Sequence, residues 1–284
     1  MFDRRAKNAE IFRDTEHLYK NNETLKEVVK HSVNNQMLIL AGDKVEYEAT
    51  GNRAGKVVVS GKRTLEASEV YAKQGKRVCI LNFASATNPG GGVVHGSSAQ
   101  EEAICRCSTL YPCLNTRKMW NEFYTPHRNA DNPLYNDDCI FTPDVKVFKS
   151  DINFPELLPE GEWWDVDVIT CAAPNLRRIP SNRMNQSAGS KKADITYDGL
   201  RALHTARIQR IFEVAMVNGA EVLILGAFGC GAFCNPPELV AEVFAKFTEK
   251  YRYNFDVIEY AVFHTERETA NYKAFKEAME KLER

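Results

Sequence analysis

The sequence predicts an α/β fold in which a buried, mixed but mostly parallel sheet lies between layers of helices, behind an N-terminal helical extension. Three observations predict it. Short apolar runs such as "RVCILNF" (77–83) and "AEVLILGAF" (220–228) lack the polar alternation of a half-exposed strand, so both of their faces are expected to be buried. They alternate with amphipathic stretches of helix length. Two of them run into glycine-rich turns, which sit at the carboxyl edge of a layered sheet.

In chain order, residues 1–35 read as helical, with Ile11, Phe12, Leu18, Leu25, Val28 and Val29 at helical intervals and Thr24 as a cap. A polar stretch leads to a strand over 56–60. A helix over 65–74 follows, capped by Thr64 and stopped by Gly75, and then a strand over 77–83. A helix starts near residue 99, where Ser98-x-x-Glu101 has the form of a capping box. "DVDVITCAA" (165–173) reads as a buried strand. Residues 176–198 are polar, basic and rich in turn formers, which suits a solvated loop or a flap over a site. Helix 196–218, strand 220–228, helix 238–250, strand "DVIEYAVF" (256–263) and helix 266–282 complete the alternation. Pro236–Pro237 opens the penultimate helix, as proline in a first turn does. We divide the chain into a mainly helical extension over 1–55 and one layered α/β domain over 56–284.

Composition excludes several classes. No run approaches the roughly 18–20 apolar residues that span a bilayer, and the charged N-terminus "MFDRRAKNAEIFRDTEHLYK" lacks a signal peptide's apolar core. We therefore expect a cytoplasmic protein. The eight cysteines contain no Cys-x-x-Cys pair, and several lie in apolar runs, so reduced thiols and no metal are expected. A net charge of −1 removes the basic field of a nucleic-acid groove, so any phosphate recognition is local. Nothing demands more than a monomer.

The chemistry concentrates in "NPGGGVVHGSSAQEEA" (88–103) and "LILGAFGCGAFCNPPELV" (223–240). Each glycine-rich turn follows a strand, and neither contains lysine or arginine. There is no Walker lysine and no Gly-x-Gly-x-x-Gly fingerprint. Two uncharged turns of this kind suit a diphosphate held by backbone N–H groups and helix dipoles. Glu101 has the capping role, whereas Glu102 has none. A carboxyl beside another carboxylate and an anion holds its proton more tightly. A protonated carboxyl is what a glycosidic leaving oxygen needs from a general acid. A cysteine nucleophile, Cys230 or Cys105, is the weaker reading, because no histidine has a recognisable base role beside Cys230. His95 reads as a solvent-facing loop residue.

Gly-Gly-Gly, seven residues, then Gln100-Glu101-Glu102 resembles the signature of poly(ADP-ribose) glycohydrolases. "LNFASATNPGGG", "LGAFGCGAFCNPPELV", "IFTPDVKVFK" and "VITCAAPN" are similar to the microbial branch of that family, over roughly residues 60–275. The resemblance implies a three-layer macrodomain fold that binds ADP-ribose without metal or cofactor. It implies Glu102 as the catalytic acid, protonating the 2′-oxygen of the ribose–ribose bond, with Glu101 holding ribose hydroxyls. It places Gly90, Gly91, Gly92 and Val93 on the diphosphate and distal ribose. It likewise places Gly226, Ala227, Phe228, Gly229, Cys230, Gly231, Ala232 and Phe233 in a second diphosphate loop, with Phe233 near the distal ribose. Gln100 supports the glutamates, and Asn82 and Asn88 contact adenosine or ribose. The partner is poly(ADP-ribose) or an ADP-ribosylated macromolecule, ADP-ribose is the product, and near-neutral charge favours cleavage from chain ends. The alternatives are a hydrolase of the same fold acting on mono-ADP-ribose attached to protein or nucleic acid, or a non-catalytic reader. A reader has no need of the paired glutamates.

Overall fold

The structure is a computed structural model that describes residues 3–47, 51, 53–183 and 185–283. Its strands are β1 (Met37–Ile39), β2 (Lys56–Ser60), β3 (Val78–Phe83), β4 (Cys139–Val147), β5 (Trp164–Cys171), β6 (Val222–Leu225) and β7 (Val257–Ala261). They form one sheet in the order β1-β4-β5-β3-β6-β7-β2. From β5 to β2 all neighbours are parallel, and β4 and β1 complete one edge antiparallel.

Helices α1 (Arg4–Asn21), α2 (Glu23–Asn34), α3 (Thr64–Ala72) and α4 (Gln100–Cys107) are followed by three short ones, α5 (Leu110–Leu114), α6 (Arg117–Met119) and α7 (Thr125–Ala130). A π-helical turn over Trp120–Tyr124 joins the last two. Later come α8 (Tyr197–Val217), α9 (Pro237–Tyr251) and α10 (Ala270–Glu280). The apolar runs have a simple cause. In β3, Cys79 and Leu81 enter one core with residues of α8, α9 and α10, while Val78 and Ile80 enter the other with residues of α1, α3 and α4. The first core is rich in rings, including the fully buried Phe212, Phe244, Tyr260 and Phe275. Truncating one such phenylalanine to alanine costs about 3–5 kcal/mol.

Local chemistry differs from the expectation at three helix starts. The cap of α2 is Asn22, whose side chain accepts from Leu25 N–H at 3.0 Å, not Thr24. Arg63, not Thr64, precedes α3, and the Thr64 hydroxyl instead accepts from Gln100 at 3.1 Å. Ala99 precedes α4, and no side chain caps it, so the Ser98–Glu101 box does not form. Glu101 is turned into the site. Strands β1 and β4 were not expected. In β4, Pro143 and a bulge between Thr142 and Val145, with Asp144 at φ +52°, break the apolar run. The helix expected from 266 starts at Ala270, because Thr265 and Glu268 first close a turn.

Helix α1 is tied to the rest of the molecule. Asn8 of α1 donates to Gly96 O at 3.2 Å, and the Thr15 hydroxyl donates to Arg106 O at 2.6 Å. A Cβ on Gly96 would collide with the Arg5 carbonyl, so α1 presses directly on the loop that leads into α4.

Candidate active site

The loop after β3 and the head of α4 bring two carboxyls together. Glu101 is 3% exposed and Glu102 7%. Glu101 accepts from Ser85 N–H at 2.8 Å on Oε2 and from the Asn82 amide at 3.3 Å on Oε1. Glu102 Oε1 accepts from Gly92 N–H at 2.9 Å. A Cβ on Gly91 would lie 2.7 Å from Glu102 Oε1 and 3.1 Å from Glu101 Oε2, with φ at +57°. Only glycine lets the backbone cross so close to both acids.

Burial pushes both carboxyls above their ordinary value, and Glu102's charge adds to the rise at Glu101. The Ser85, Asn82 and Gly90 donors pull Glu101 down, while the Gly92 N–H and the N–H groups at the head of α4 pull Glu102 down. Two buried carboxyls this close do not both ionise readily; they titrate as a pair. The rise at Glu101 is the larger, even with its Ser85, Asn82 and Gly90 donors counted.

Gln100 anchors this arrangement. Its amide donates to Leu81 O at 2.7 Å and accepts from Phe83 N–H at 2.8 Å, tying the end of β3 to the start of α4. Asn82 is fully buried beneath Glu101, and its Oδ1 has no partner among the described residues.

The two glycine-rich turns use their N–H groups differently. In the first, Gly91 N–H donates to Asn88 O, Val93 N–H to Gly90 O and Gly92 N–H to Glu102. That turn therefore holds the acids, and the anion nest expected there is already occupied by protein acceptors. In the second, Phe228, Cys230 and Asn235 close the turn through their own N–H groups, whereas those of Gly231, Ala232 and Phe233 have no acceptor among the described residues. Gly229 (φ +75°) is packed so tightly that a Cβ would lie 2.5 Å from Ala173 Cβ.

A cavity of about 760 Å³ runs across the carboxyl ends of β3, β6 and β7. Gly91, Gly92, Gln100, Glu101, Glu102, Ala227, Gly229, Gly231, Ala232 and Phe233 line it. Gly90, Val93, Gly226, Phe228, Cys230 and Asn82 stand behind that lining, with Val93 and Phe228 fully buried in the cores. Asn88 faces a separate, smaller cavity. Burial raises the Cys230 thiol, the opposite of what a nucleophile needs. His95 is exposed.

Several further lining residues come from segments outside the two glycine-rich turns. Arg4 and Arg5 come from α1, Arg63 from the approach to α3, and Arg177 from the 176–198 segment. Phe263, 53% exposed beyond β7, has the Arg63 guanidinium 4.2 Å over its ring. The 176–198 segment is a docked flap: Asn185, 8% exposed, accepts from Ser85 Oγ at 2.8 Å and from Thr87 Oγ1 at 3.3 Å. Met184 within it lies outside the described residues. Among the described residues no group of three or more His, Cys, Asp or Glu is placed to hold a metal. No helix among them is long and apolar enough to cross a membrane.

The family model for the catalytic domain of microbial-type PARG matches residues 6–150, just over half the chain, from α1 through the glutamate pair to β4. The chain belongs to that family. Among solved poly(ADP-ribose) glycohydrolases (PARGs), it resembles the crystal structure from Thermomonospora curvata with a TM-score of 0.81 and 28% identity, over 96% of this chain and 100% of that one. The Thermomonospora curvata enzyme bound to the inhibitor ADP-HPD matches with a TM-score of 0.79 at 28% identity, over 96% and 99%. The Deinococcus radiodurans enzyme in complex with ADP-ribose matches with a TM-score of 0.75 at 28% identity, over 89% and 97%. No curated protein sequence matches. The mixed seven-stranded sheet between helices is thus the macrodomain-like fold of a PARG catalytic domain.

Proposed function

We propose that the protein is a poly(ADP-ribose) glycohydrolase that works from chain ends, releases ADP-ribose and uses Glu102 as its general acid. One observation carries this reading: two buried carboxyls meet behind Gly91 at one end of a cavity whose other end, two strands away, presents the exposed Phe263 ring. Between those ends lie the N–H groups of Gly231, Ala232 and Phe233. The spacing suits ADP-ribose, with adenine on Phe263, the diphosphate on the second turn and the distal ribose between Phe233 and Glu101. Arg63 and Arg177 line the same cavity and supply local positive charge without a basic surface.

This reading puts the reacting proton on Glu102, because both Glu101 oxygens already accept from donors fixed by the fold. Glu102 donates its proton to the 2′-oxygen as the bond from that oxygen to the distal anomeric carbon breaks, and the bonding electrons leave with the oxygen. The oxocarbenium ion left on the ribose is stabilised by the adjacent diphosphate and by the Glu101 carboxylate, which accepts from the ribose hydroxyls. Water then adds to the anomeric carbon and returns a proton to Glu102. Burial favours this step, because it tightens the acid's hold on its proton. Attack from chain ends is supported by the turn from Thr265 to Glu268, beyond which Glu268 and Asn271 line the Phe263 end. A polymer bound by an internal unit has to continue through that end.

The test is incubation with poly(ADP-ribose) on a modified carrier, beside the Glu102→Gln variant, with products separated by chromatography. Free ADP-ribose from the wild type alone supports the reading. Longer oligomers as the first products overturn the chain-end mode, and binding without release by either protein overturns the hydrolase.

A further inference from the structure

Gly91 has cavities on both sides. Behind the first glycine-rich turn lies a second hollow of about 210 Å³, and Gly91 lines it as well as the main cavity. Val94, His95, Tyr111, Trp120, Arg128 and Arg183 border this hollow, and none of its lining residues is acidic. Its wall is rigid. The Arg128 guanidinium lies 4.6 Å over the Trp120 ring, donates from Nε to Thr87 O at 2.7 Å and also binds Asn88 Oδ1. Trp120 Nε1 donates to Asn115 Oδ1 at 2.8 Å, which pins the indole. Val94, 44% exposed, adds an apolar edge, and Arg183 is exposed at the rim.

A fixed aromatic–guanidinium wall with a further arginine at the rim matches a purine joined to a phosphate, since bases stack on both kinds of plane. The volume decides how much of a nucleotide enters. Complete small-molecule sites measure about 300–1,000 Å³, so this hollow takes a base and not a second ADP-ribose. Chain continuity decides which base. The scissile oxygen must stand at Glu102, and Gly91, which packs against Glu102 Oε1, lines both cavities. The hollow therefore begins one residue's width from the acid, on the far side of the turn that touches it.

We infer that the second cavity is a leaving-side subsite for the adenosine of the penultimate polymer unit, the moiety whose 2′-oxygen Glu102 protonates. The inference rests on the glycohydrolase reading above. It also provides a basis for preferring polymer over mono-ADP-ribosylated protein, whose leaving group brings no purine.

Trp120→Leu and Arg183→Ala, compared with the wild type on two substrates, test it. One substrate is poly(ADP-ribose); the other is an aryl ADP-riboside, whose phenol leaving group carries neither base nor phosphate. The expected result is a fall of about tenfold in kcat/KM on polymer for each variant. Activity on the aryl glycoside and inhibition by free ADP-ribose should stay within about twofold. Equal losses on both substrates would make these residues braces for the catalytic turn and overturn the subsite, as would undiminished activity on polymer. Arg183→Ala guards against a packing defect at Trp120, because the Arg183 side chain is exposed. If the wild type fails to cleave polymer, the glycohydrolase reading falls and the subsite with it. If the wild type is active but the losses are unselective, the subsite falls alone.

Discussion

The two glycine-rich turns follow neighbouring strands, β3 and β6, and neither contains lysine or arginine, yet they face opposite chemical tasks. The first spends its N–H groups on protein acceptors, Glu102 among them, and uses its missing side chains to let backbone pass beside two acids. The second leaves N–H groups open at the cavity and uses Gly229 to fold tightly against Ala173 and Asn235. Glycine content thus reports that something approaches the backbone closely. Whether a carboxyl or an anion approaches depends on what the N–H groups already hold.

If the first turn serves the acid and the second the ligand, substitutions in them must separate rate from affinity. Glu102→Gln is expected to lower kcat about 10²–10⁴-fold while ADP-ribose affinity, measured by calorimetry, changes less than about tenfold. Loss of binding alongside rate would merge the two roles. Gly91→Ala sets a Cβ 2.7 Å from Glu102 Oε1 at a left-handed φ, and we expect kcat/KM to fall about 10–100-fold from displacement of the acid, with ADP-ribose still bound. Gly229→Ala sets its Cβ 2.6 Å from the Asn235 amide nitrogen, and the expected effect is reversed: affinity weakens about tenfold and kcat changes less. Gly231→Ala meets nothing within 4 Å, so both quantities should stay within about twofold in the same assays. A large effect there would show that the open turn needs bare backbone for the ligand itself.

The pH dependence sharpens the same contrast. Glu102 is raised by burial, so kcat should fall as pH rises through its folded value and the acid loses its proton. Stability follows the same sign. A carboxyl raised above its ordinary 4.5 contributes stability that is present below that value and lost as pH rises through the folded one. Glutamine does not ionise, so the melting temperature of Glu102→Gln should gain on that of the wild type as pH rises from 5 to 8. An unchanged gap across that range would mean that Glu102 is not the group carrying the raised proton affinity.

Much of the frame was legible in the sequence because β3, β5, β6 and β7 are buried on both faces and carry almost unbroken apolar runs. Strand β4 was hidden because Pro143 and Asp144 interrupt it at a bulge that only its pairing with β5 explains. The acid pair and both turns were legible because each is contiguous. Arg4, Arg63 and Phe263 were not, because each lies in a segment whose own pattern says nothing about ligands, and Arg177 was legible only as part of a basic segment that suited a flap. Capping failed as a guide at Glu101 for a related reason: a short-range rule gave way to donors on Ser85 and Asn82, which reach it through the fold.

The main cavity is bordered by Arg4 near one end of the described chain and by Asn271 near the other. β2 pairs only with β7, and α10 packs over that edge. No contiguous half of the polypeptide therefore contains the pocket. Contacts this distant in sequence carry a large loop-closure cost, so the cavity is complete only once α10 has docked. ADP-ribose binding is for this reason a stringent gauge of completed folding, and on refolding it should return after the helical signal.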